Sequence, residues 1–574
     1  MKYFPIISWL RDYSKVNLRG DITAGLTVAV MLVPQAMAYA MLAGLPPVVG
    51  LYASTLPVIA YVMLGSSRHL AVGPVAMVSL LVFAACSKEA QVGSQEYISI
   101  VMTLTIMVGL LQMSAGLLRL GFLANFFSHA VLSGFTSAAA IVICLSQMKH
   151  LLGIQLPNED SAFRLIWIVI RHIRQTNTAT LTIGACAVVG LAIIRKKYPR
   201  LPGALLFVVA GTIVIYLFKL SDAGVKTVGN VPEGLPGFSL PHFEPDLWLR
   251  LLPAALTIVF IAYMESISVA RYVAAKEKYE VDTDSELRGL GLANIISALF
   301  SGYVVTGGFS RTAVNCQAGA KTGLASIITA VIVMLTLFVL TPLFYYLPNT
   351  ILAAIIIVAV VGLIDIREPI RLFRIKLADG LTLVLTFVCT LGLGVEWGIL
   401  IGAAFSLGLF IRRSAYPYMA QLGYLENEDV FRNIGRYPEA RTYPDILIFR
   451  VDASLYFANM RFVEDRLRQW IERNSKLKWV LFDFSGINDI DAVAISTLES
   501  IIKTYNERDI RFAFCCIKGP VRDLVAKAGW EEKYGEHIGY RSLQQALRQI
   551  RAVVGEKAES DNSIDLNRGR ISPH

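Results

Sequence analysis

Charged side chains are scarce in this 574-residue sequence: they make up 17% of the positions, whereas apolar residues make up 55%. The mean hydropathy of +0.56 is far above that of a soluble globular domain. A soluble enzyme is therefore excluded as the default interpretation. The formal net charge of +10 is expected to reflect membrane topology, and we predict no nucleic-acid partner.

Signatures of catalysis and of cofactor binding are also missing. The sequence has no Walker loop, no complete GxGxxG, no HExxH and no GxSxG, so neither an ATP-driven pump nor a hydrolase is indicated. The seven cysteines have no zinc-site spacing and suggest no disulfide framework. The first apolar segment is too long for a cleaved signal peptide. We therefore predict a protein that is not an enzyme, with no cofactor and no metal.

Long apolar segments, in contrast, follow one another from about residue 21 to residue 413. Hydropathy predicts about fourteen helical segments, several of them too short or too interrupted to cross a bilayer fully. Their approximate cores are 22–41, 48–64, 71–85, 97–118, 128–148, 178–194, 203–219, 251–275, 289–304, 308–319, 323–346, 351–365, 378–393 and 396–411. The fold class predicted for residues 21–413 is an α-helical polytopic membrane domain, preceded by a cytoplasmic N-terminal segment at 1–20.

The distribution of basic residues gives the orientation of these segments. With the N-terminus inside, the predicted inner loops are rich in lysine and arginine, for example at 195–197 and 412–413, whereas the predicted outer loop 220–249 has one lysine, Lys226. This is the positive-inside pattern. One predicted outer loop disagrees, because 149–177 contains Lys149, Arg164, Arg171 and Arg174. Either it forms an interfacial amphipathic helix, or the count of spans is wrong by a pair.

Two ionisable residues interrupt the apolar segments. Glu265 lies inside Leu251–Ala275, and Arg311 follows the glycine pair Gly307–Gly308. A charged side chain near the centre of a span costs roughly 2.5–3.5 kcal/mol on insertion scales, so it faces the protein interior and usually serves ion traffic. An acid and a base in one membrane domain suggest a transporter for an anion.

The pattern changes after residue 413. Segments 446–451, 479–484 and 510–516 are predicted strands, and 460–473, 493–506 and 520–528 are predicted helices. Strands alternating with helices indicate a small α/β domain, which we place at 441–555 after a linker at 414–440. The polar tail 556–574 is predicted to be disordered.

Several motifs resemble those of a known family. Val33–Ala40 (VPQAMAYA), Ala43–Pro47 (AGLPP) and Gly50–Tyr52 (GLY) resemble the first-helix signature of the SulP sulfate permeases, the family that includes pendrin and prestin. Gly65–Arg68 (GSSR) and Val72–Pro74 (VGP) are similar to the start of its third helix. The C-terminal domain resembles the STAS domain that typically follows such permeases.

The resemblance implies a seven-plus-seven inverted repeat with core and gate domains, and a homodimer in the inner or plasma membrane with its STAS domains in the cytoplasm. It also implies a substrate site between two half-helices that begin near Pro74 and Phe309. In plant-type permeases, the residues matching Glu265 and Arg311 are associated with proton coupling and anion binding. The sequence agrees in one respect: 71–85 and 308–319 are short and led by glycine or proline, as discontinuous helices are.

Charge counting makes this mechanism concrete. We assign anion binding to the two helix starts and the arginine, namely Pro74, Val75, Ala76, Phe309, Ser310 and Arg311. Two helix N-termini of roughly +0.5 each plus Arg311 give about +2, which suits a dianion such as sulfate. An ionised Glu265 lowers the sum to about +1. A proton on Glu265 and a dianion in the site should therefore bind cooperatively, as in a proton symporter.

Gln35 and Tyr39 complete the predicted site. They are four residues apart on one helix face, and their amide and hydroxyl groups are suited to bonding an oxyanion. Purely structural roles for these residues stay open. They are a permanent Glu265–Arg311 ion pair, an interhelical hydrogen bond for Gln35, packing for Tyr39 and a helix cap for Ser310.

Three functions remain possible on sequence grounds. The first is proton-coupled uptake of sulfate or a similar oxyanion. The second is uptake of bicarbonate or a dicarboxylate, possibly coupled to sodium, or anion exchange. The third is a signalling scaffold that works through its STAS domain. Against the third, a chain that no longer transports has no need of Glu265 and Arg311 in its apolar segments. In the STAS-like domain, the stretch Asp491–Ala494 (DAVA) lacks the phosphorylated serine of the Asp-Ser-Ser-Gly motif in anti-sigma-factor antagonists, so that switch is absent.

Overall fold

The computed structural model describes residue 6 and residues 13–122, 128–154, 162–198, 201–229, 234–240 and 243–553. The chain forms two compact units, Met1–Ser406 and Leu407–His574. The predicted disordered tail lies outside the described residues, as does most of the predicted N-terminal segment.

The first unit is helical. Its helices are α1 (Lys15–Leu42), α2 (Pro47–Tyr52), α3 (Leu56–Leu64), α4 (Ala76–Cys86), α5 (Gln95–Leu117), α6 (His129–Ser146), α7 (Met148–Leu152), α8 (Ala162–His172), α9 (Thr178–Lys197), α10 (Gly203–Phe218), α11 (Pro245–Glu277), α12 (Thr283–Leu299), α13 (Phe309–Gln317), α14 (Leu324–Val339), α15 (Asn349–Val361), α16 (Arg367–Ile375), α17 (Leu377–Leu393) and α18 (Val395–Ala415), which continues into the second unit. Among the described residues, seven helical stretches are long and apolar enough to cross a membrane, and α4, α10, α14, α15 and α17 are shorter apolar helices. The predicted polytopic helical domain is confirmed.

The helices pack in two sets. In one set, α12 packs against α3 and α5, while α14 packs against α1; in the other set, α9 packs against α15 and α17 against α6. Contacts of α1 with α10 and α15 join the two sets. Large apolar side chains remain exposed on the outside, as expected of a lipid-facing surface.

Two predicted segments differ in detail: 48–64 matches one apolar stretch, Pro47–Leu64, that is interrupted, and 289–304 is shifted. Segment 48–64 is broken into α2 and α3, because the chain turns at residues 53–55 before Pro57 restarts a helix in its first turn. Segment 289–304 is shifted: α12 begins at Thr283, where the Asp282 carboxylate accepts from the backbone N–H of Asp284 and Ser285. It ends at Leu299, and the chain then continues without helical structure through buried Tyr303 to Val305.

Two very short strands organise the centre of this unit. β1 (Val72–Gly73) pairs antiparallel with β2 (Thr306–Gly307), with Val72 opposite Gly307. The short helices α4 and α13 begin a few residues after these strands. The two glycine- or proline-led segments therefore form half-helices that start on either side of one antiparallel pair.

The segment that disagreed with the positive-inside pattern contains an amphipathic helix. In α8, Ala162, Leu165 and Ile168 are buried at helical spacing, whereas Trp167 is exposed and lies within 5.1 Å of the Arg171 guanidinium. This agrees with the first of the two explanations offered for that loop.

The second unit is an α/β domain. Its five-stranded sheet has the order β4-β3-β5-β6-β7 and contains β3 (Met419–Leu425), β4 (Val430–Asn433), β5 (Ile446–Val451), β6 (Trp479–Asp483) and β7 (Arg511–Cys515). The helices include α19 (Met460–Glu472), α20 (Ala492–Asn506), α21 (Gly519–Lys527) and α22 (Trp530–Tyr534), and residues 543–553 are also helical.

The predicted strands and helices of this domain are confirmed to within one or two residues. The predicted linker 414–440 is wrong, however, because it contains β3 and β4. β3 alternates buried and half-buried residues and pairs antiparallel with β5, whereas β5, β6 and β7 are parallel. The sheet therefore begins with an antiparallel extension that the polar, turn-rich sequence of 426–440 concealed.

Candidate functional site

The two half-helices start without side-chain caps. α4 begins after Val75 and α13 after Gly308, and neither of these residues offers a side chain that accepts from the first-turn N–H groups. Helix N-termini of this kind carry unpaired donors and a partial positive charge. Because both starts lie beside the β1–β2 pair, their donors can act on one bound anion.

Arg311 lies in the first turn of α13 and is only 2% exposed. Its Nη1 donates to the carbonyl oxygen of Pro74 at 2.5 Å, which connects it to the start of the other half-helix. Its Nε and Nη2 are buried and have no partner among the described residues. A buried guanidinium normally has its donors satisfied, so two donors of Arg311 remain available to a ligand.

The glycines beside Arg311 provide space for its guanidinium. Gly308 has φ −96°, a value that any residue adopts. A Cβ at Gly308 would lie 2.9 Å from Arg311 Nη2 and 3.0 Å from Cζ, and a Cβ at Gly73 would lie 3.4 Å from Nη2. The close approach to Arg311, rather than a turn, is therefore the distinguishing feature of Gly308, since a Cβ there would have to displace the guanidinium.

Glu265 lies on α11, and its side chain is half-buried. Its Oε2 is fully buried and has no hydrogen-bond partner in the part of the chain that the structure describes. Glu265 and Arg311 border the same cavity but form no ion pair with each other. The alternative of a permanent ion pair does not hold in this structure.

Residues that the sequence analysis did not select hold these groups in place. The hydroxyl of Ser266, next to Glu265, lies 2.6 Å from that of Thr306 and accepts from Gly307 N at 2.8 Å. Asn294 accepts from Val305 N at 2.7 Å and donates to the carbonyl of the same residue. Buried serine, threonine and asparagine in apolar helices were a general signal, but their partners were not visible in sequence.

A cavity of about 400 Å³ lies between the half-helices on one side and α9, α10 and α15 on the other. The predicted site residues that line it are Gln35, Tyr39, Val75, Ala76, Glu265, Phe309, Ser310 and Arg311. Pro74 does not line the cavity, and its contribution is the carbonyl that holds Arg311. It was also expected to begin α4, but the helix starts two residues later, at Ala76. The other predicted residues are brought together.

Among these residues, Gln35 and Tyr39 are 8% and 7% exposed and lie on the cavity wall. The opposite wall consists of the end of α9, the start of α10 and the end of α15, including Ile194, Arg195 and Val358. Sequence reasoning had used Arg195 only as a topology marker. Its guanidinium donates to the Val358 carbonyl and adds a second positive charge to the cavity.

The STAS-like domain shows how the missing serine is accommodated. Asp491 is the N-cap of α20 and accepts from Ala494 N at 2.7 Å, so Ala492 stands at the first helical position. The hydroxyls of Ser496 and Thr497 donate back to carbonyls one turn earlier in the same helix. No hydroxyl replaces the phosphorylated serine at Ala492.

Comparison with known proteins assigns both units. The family described as the sulfate permease family matches residues 18–386, and the STAS domain family matches residues 437–546. Sulfate transporter 4.1, chloroplastic, of Arabidopsis thaliana is 39% identical over 98% of this chain and 85% of its own length. High affinity sulfate transporter 2 of Stylosanthes hamata is 36% identical over 95% of this chain and 86% of its own.

Solved structures support the fold. The murine Slc26a9 anion transporter in its inward-facing state superposes with a TM-score of 0.90 at 25% identity, covering 96% of this chain and 94% of its own. The transmembrane domain of the cyanobacterial bicarbonate transporter BicA covers 69% of this chain and 99% of its own, with a TM-score of 0.60 and 23% identity. The half-helix site, the two family matches and these relatives agree: the chain belongs to the sulfate permease family of membrane transporters and has a C-terminal STAS domain.

Proposed function

We propose that this protein is a secondary active transporter that moves sulfate together with protons. The proposal rests on one observation: two side chains of opposite charge border one cavity, and each has buried polar atoms that no described residue bonds. Within the described part of the chain, Arg311 has two free buried donors, and Glu265 has a buried oxygen without a partner. Buried charges left unpaired are costly, so the arrangement favours a site that awaits an anion and a proton.

The anion is bound in three ways. The first-turn N–H groups at Ala76 and Phe309 donate to its oxygens, the free Nε and Nη2 of Arg311 add charge-assisted bonds, and Gln35 contributes its amide from the cavity wall. A tetrahedral dianion accepts hydrogen bonds from several directions at once. The two helix starts and α1 place donors on different sides of the cavity, which matches this geometry.

Proton coupling follows from the charge of Glu265. When this carboxylate is ionised, it opposes a dianion in the same cavity; when it is protonated, that repulsion is removed. Binding of a proton and of sulfate is then mutually favourable, and thermodynamic linkage requires the effect to be reciprocal. Release of the proton on the other side of the membrane weakens anion binding and promotes discharge of both.

Sulfate is preferred over bicarbonate and dicarboxylates for a specific reason. Curated relatives at 34–40% identity carry the name sulfate transporter, whereas the bicarbonate transporter BicA, at 23% identity, supports the fold alone. The two helix starts and Arg311 give about +2, and Arg195 on the cavity wall adds further positive charge, so the site suits a dianion better than a monoanion.

The assembly and its location are part of the same proposal. The family resemblance supports a homodimer whose helices lie in the inner or plasma membrane. The basic loops support an orientation that places the STAS domain in the cytoplasm. The intact central cavity argues against a signalling scaffold, which has no use for unpaired buried charges.

Uptake of labelled sulfate into proteoliposomes tests the function. Purified protein is reconstituted, and uptake is measured with an inward proton gradient, with an inward sodium gradient and with neither. We expect accumulation above equilibrium only with the proton gradient, and its collapse on adding a protonophore. Accumulation driven by sodium alone, or of bicarbonate but not sulfate, would contradict the proposal.

A further inference from the structure

A second cavity lies in the helical unit, away from the central one. Its volume is about 340 Å³, and its lining consists of Lys149, His150, Gly153, Ile154, Thr180, Lys226, Asn349 and Thr350. Two lysines and a histidine thus face one space, and none of the lining residues is acidic. The two lysines make the lining of this cavity basic.

The second cavity is at the opposite ends of the helices that border the central site. On α9 it contacts Thr180, whereas the central cavity contacts Leu191 to Arg195. With 1.5 Å per residue, Thr180 and Leu191 are about 16 Å apart along the axis. Lys226 belongs to the segment 220–249, which the positive-inside pattern assigns to the outside. The second cavity is therefore on the outer face.

The backbone around this cavity is fixed by hydrogen bonds. Asn349 N donates to the Lys226 carbonyl at 3.0 Å, and Thr227 forms an isolated antiparallel bridge with Pro348. On the other side, Asn177 N donates to the Leu152 carbonyl, which anchors α7. The lysines thus project from ordered backbone rather than from a loose loop.

The positive charge is poorly compensated within the described residues. The Lys149 ammonium lies 5.8 Å from the centre of the Phe83 ring, a cation–π contact that leaves its charge uncompensated. Neither Lys149 nor Lys226 forms an ion pair with a described carboxylate. Asn349 also has a buried Oδ1 that no described residue bonds, and turning its amide over would place the NH₂ group, a double donor, at that position.

We propose that this outer cavity is a second binding site for an inorganic oxyanion of the sulfate type. Lys149 and Lys226 supply the charge and the donors. Thr180 and Thr350 line the same wall, but their hydroxyl groups already donate to Asn177 Oδ1 and to the Thr180 carbonyl. The site also explains why a predicted outer loop carries Lys149 against the positive-inside rule. The inference concerns a site distinct from the central cavity and holds whether or not transport is coupled to protons.

The test uses the full-length Arg311→Ala protein, in which the central site is disabled, and measures binding of radiolabelled sulfate by equilibrium dialysis. We expect residual saturable binding of one sulfate per chain. Adding Lys149→Gln and Lys226→Gln together should weaken that binding at least tenfold. The matched control is Arg174→Gln, which removes a positive charge from an exposed residue of the same loop and should leave binding unchanged.

Each result has a distinct meaning. No saturable binding in the Arg311→Ala protein, or residual binding that survives loss of both lysines, overturns the outer site. Equal weakening by Arg174→Gln would also overturn it, because surface charge alone would then explain the effect. If sulfate binds Arg311→Ala as tightly as the wild type and is lost only with the lysines, the outer site stands and the central site proposed for transport fails.

Discussion

The helical unit contains two kinds of buried carboxylate, and Glu286 and Glu265 represent them. Glu286 on α12 is completely buried and accepts four hydrogen bonds, from the Tyr61 hydroxyl at 2.6 Å and from Ser66 N, Ser66 Oγ and Ser67 N at 2.8 Å each. Glu265 on α11 has a buried oxygen with no partner among the described residues. The two residues have the same side chain, but the carboxylate of Glu286 is fully hydrogen-bonded and that of Glu265 is not.

Asp21 belongs with Glu286. It accepts from the backbone N–H groups of Lys321 and Thr322, at 2.7 and 3.0 Å, and from the hydroxyl groups of Thr322 and Tyr13. It thereby attaches α1 to the loop after α13. Saturated carboxylates connect elements and stabilise the fold, whereas an unsatisfied one lowers stability and is retained where a function needs it. The comparison therefore assigns Asp21 and Glu286 to stabilising the fold and Glu265 to function.

The largest expected effect comes from removing the cation at the unsatisfied site. Arg311→Ala takes away two free donors and a full charge, so sulfate affinity at the central site should fall at least about 30-fold, the equivalent of about 2 kcal/mol. Uptake into proteoliposomes should be lost. Calorimetric titration with sulfate measures the affinity, and size-exclusion chromatography checks that the protein remains folded.

Arg311→Lys provides the control for charge alone. A lysine ammonium keeps the charge but loses the planar fork that bonds Pro74 and leaves two donors free, so binding should be impaired as well. Near-normal affinity in Arg311→Ala would show that Arg311 is structural and that the anion binds elsewhere.

The second prediction concerns the carboxylate itself. Glu265→Gln mimics the protonated side chain, so sulfate binding should persist or tighten and lose its pH dependence. The wild-type protein should bind more tightly as pH falls and Glu265 becomes protonated. Uptake driven by a proton gradient should collapse in the mutant, because no proton can be released inside, while exchange of sulfate for sulfate continues.

Binding and uptake measured side by side between pH 5 and 8 decide the matter. A mutant that still concentrates sulfate with the wild-type pH response would show that coupling does not pass through Glu265. In that case, the unsatisfied state of this carboxylate would need another explanation.

A smaller effect is expected from crowding Arg311. A methyl group at Gly308 would approach the guanidinium to about 3 Å, so Gly308→Ala should displace it and weaken sulfate binding roughly tenfold, or about 1.4 kcal/mol. Gly392→Ala is the matched control, since a Cβ there meets nothing within 4 Å. If the two alanine variants bind sulfate equally well in titrations, the position of Arg311 is not set by the glycines.

The long apolar helices, and most of the residues that border the central cavity, could be predicted from the sequence for a physical reason. Helix periodicity and hydropathy are local properties, and a charge such as Glu265 in an apolar segment is visible without any neighbours. The two half-helix starts were found in the same way, from glycine and proline. Family motifs then indicated that these separate segments belong to one site.

Hydrogen bonds and contacts between residues that are distant in the sequence could not be predicted from it. Glu286 stands among polar residues, after Asp282–Ser285 and before Arg288, so the sequence does not show that it is buried. Only the fold shows that Ser66 and Ser67, more than 200 residues away, satisfy its carboxylate. Arg195 looked like a loop residue, because its approach to the cavity depends on packing of α9 against α15. The space needed at Gly308 could not be inferred before the position of Arg311 was known.

The variant with the smallest expected effect on sulfate affinity tests the comparison most directly, because the same chemical change can be made at both glutamates. In Glu286→Gln, the amide oxygen can still accept from Ser66 and Ser67, but the bonds lose their charge assistance, and the NH₂ group replaces the acceptor for Tyr61. We expect a loss of about 1–3 kcal/mol in the free energy of unfolding and a drop of a few degrees in apparent Tm, with sulfate affinity unchanged. Glu265→Gln should leave Tm unchanged or raise it, since it removes an unpaired buried charge. Thermal unfolding of both variants, purified and measured without sulfate, gives the answer: equal shifts, or a larger drop at Glu265, would mean that the two carboxylates do not differ as the hydrogen bonds indicate.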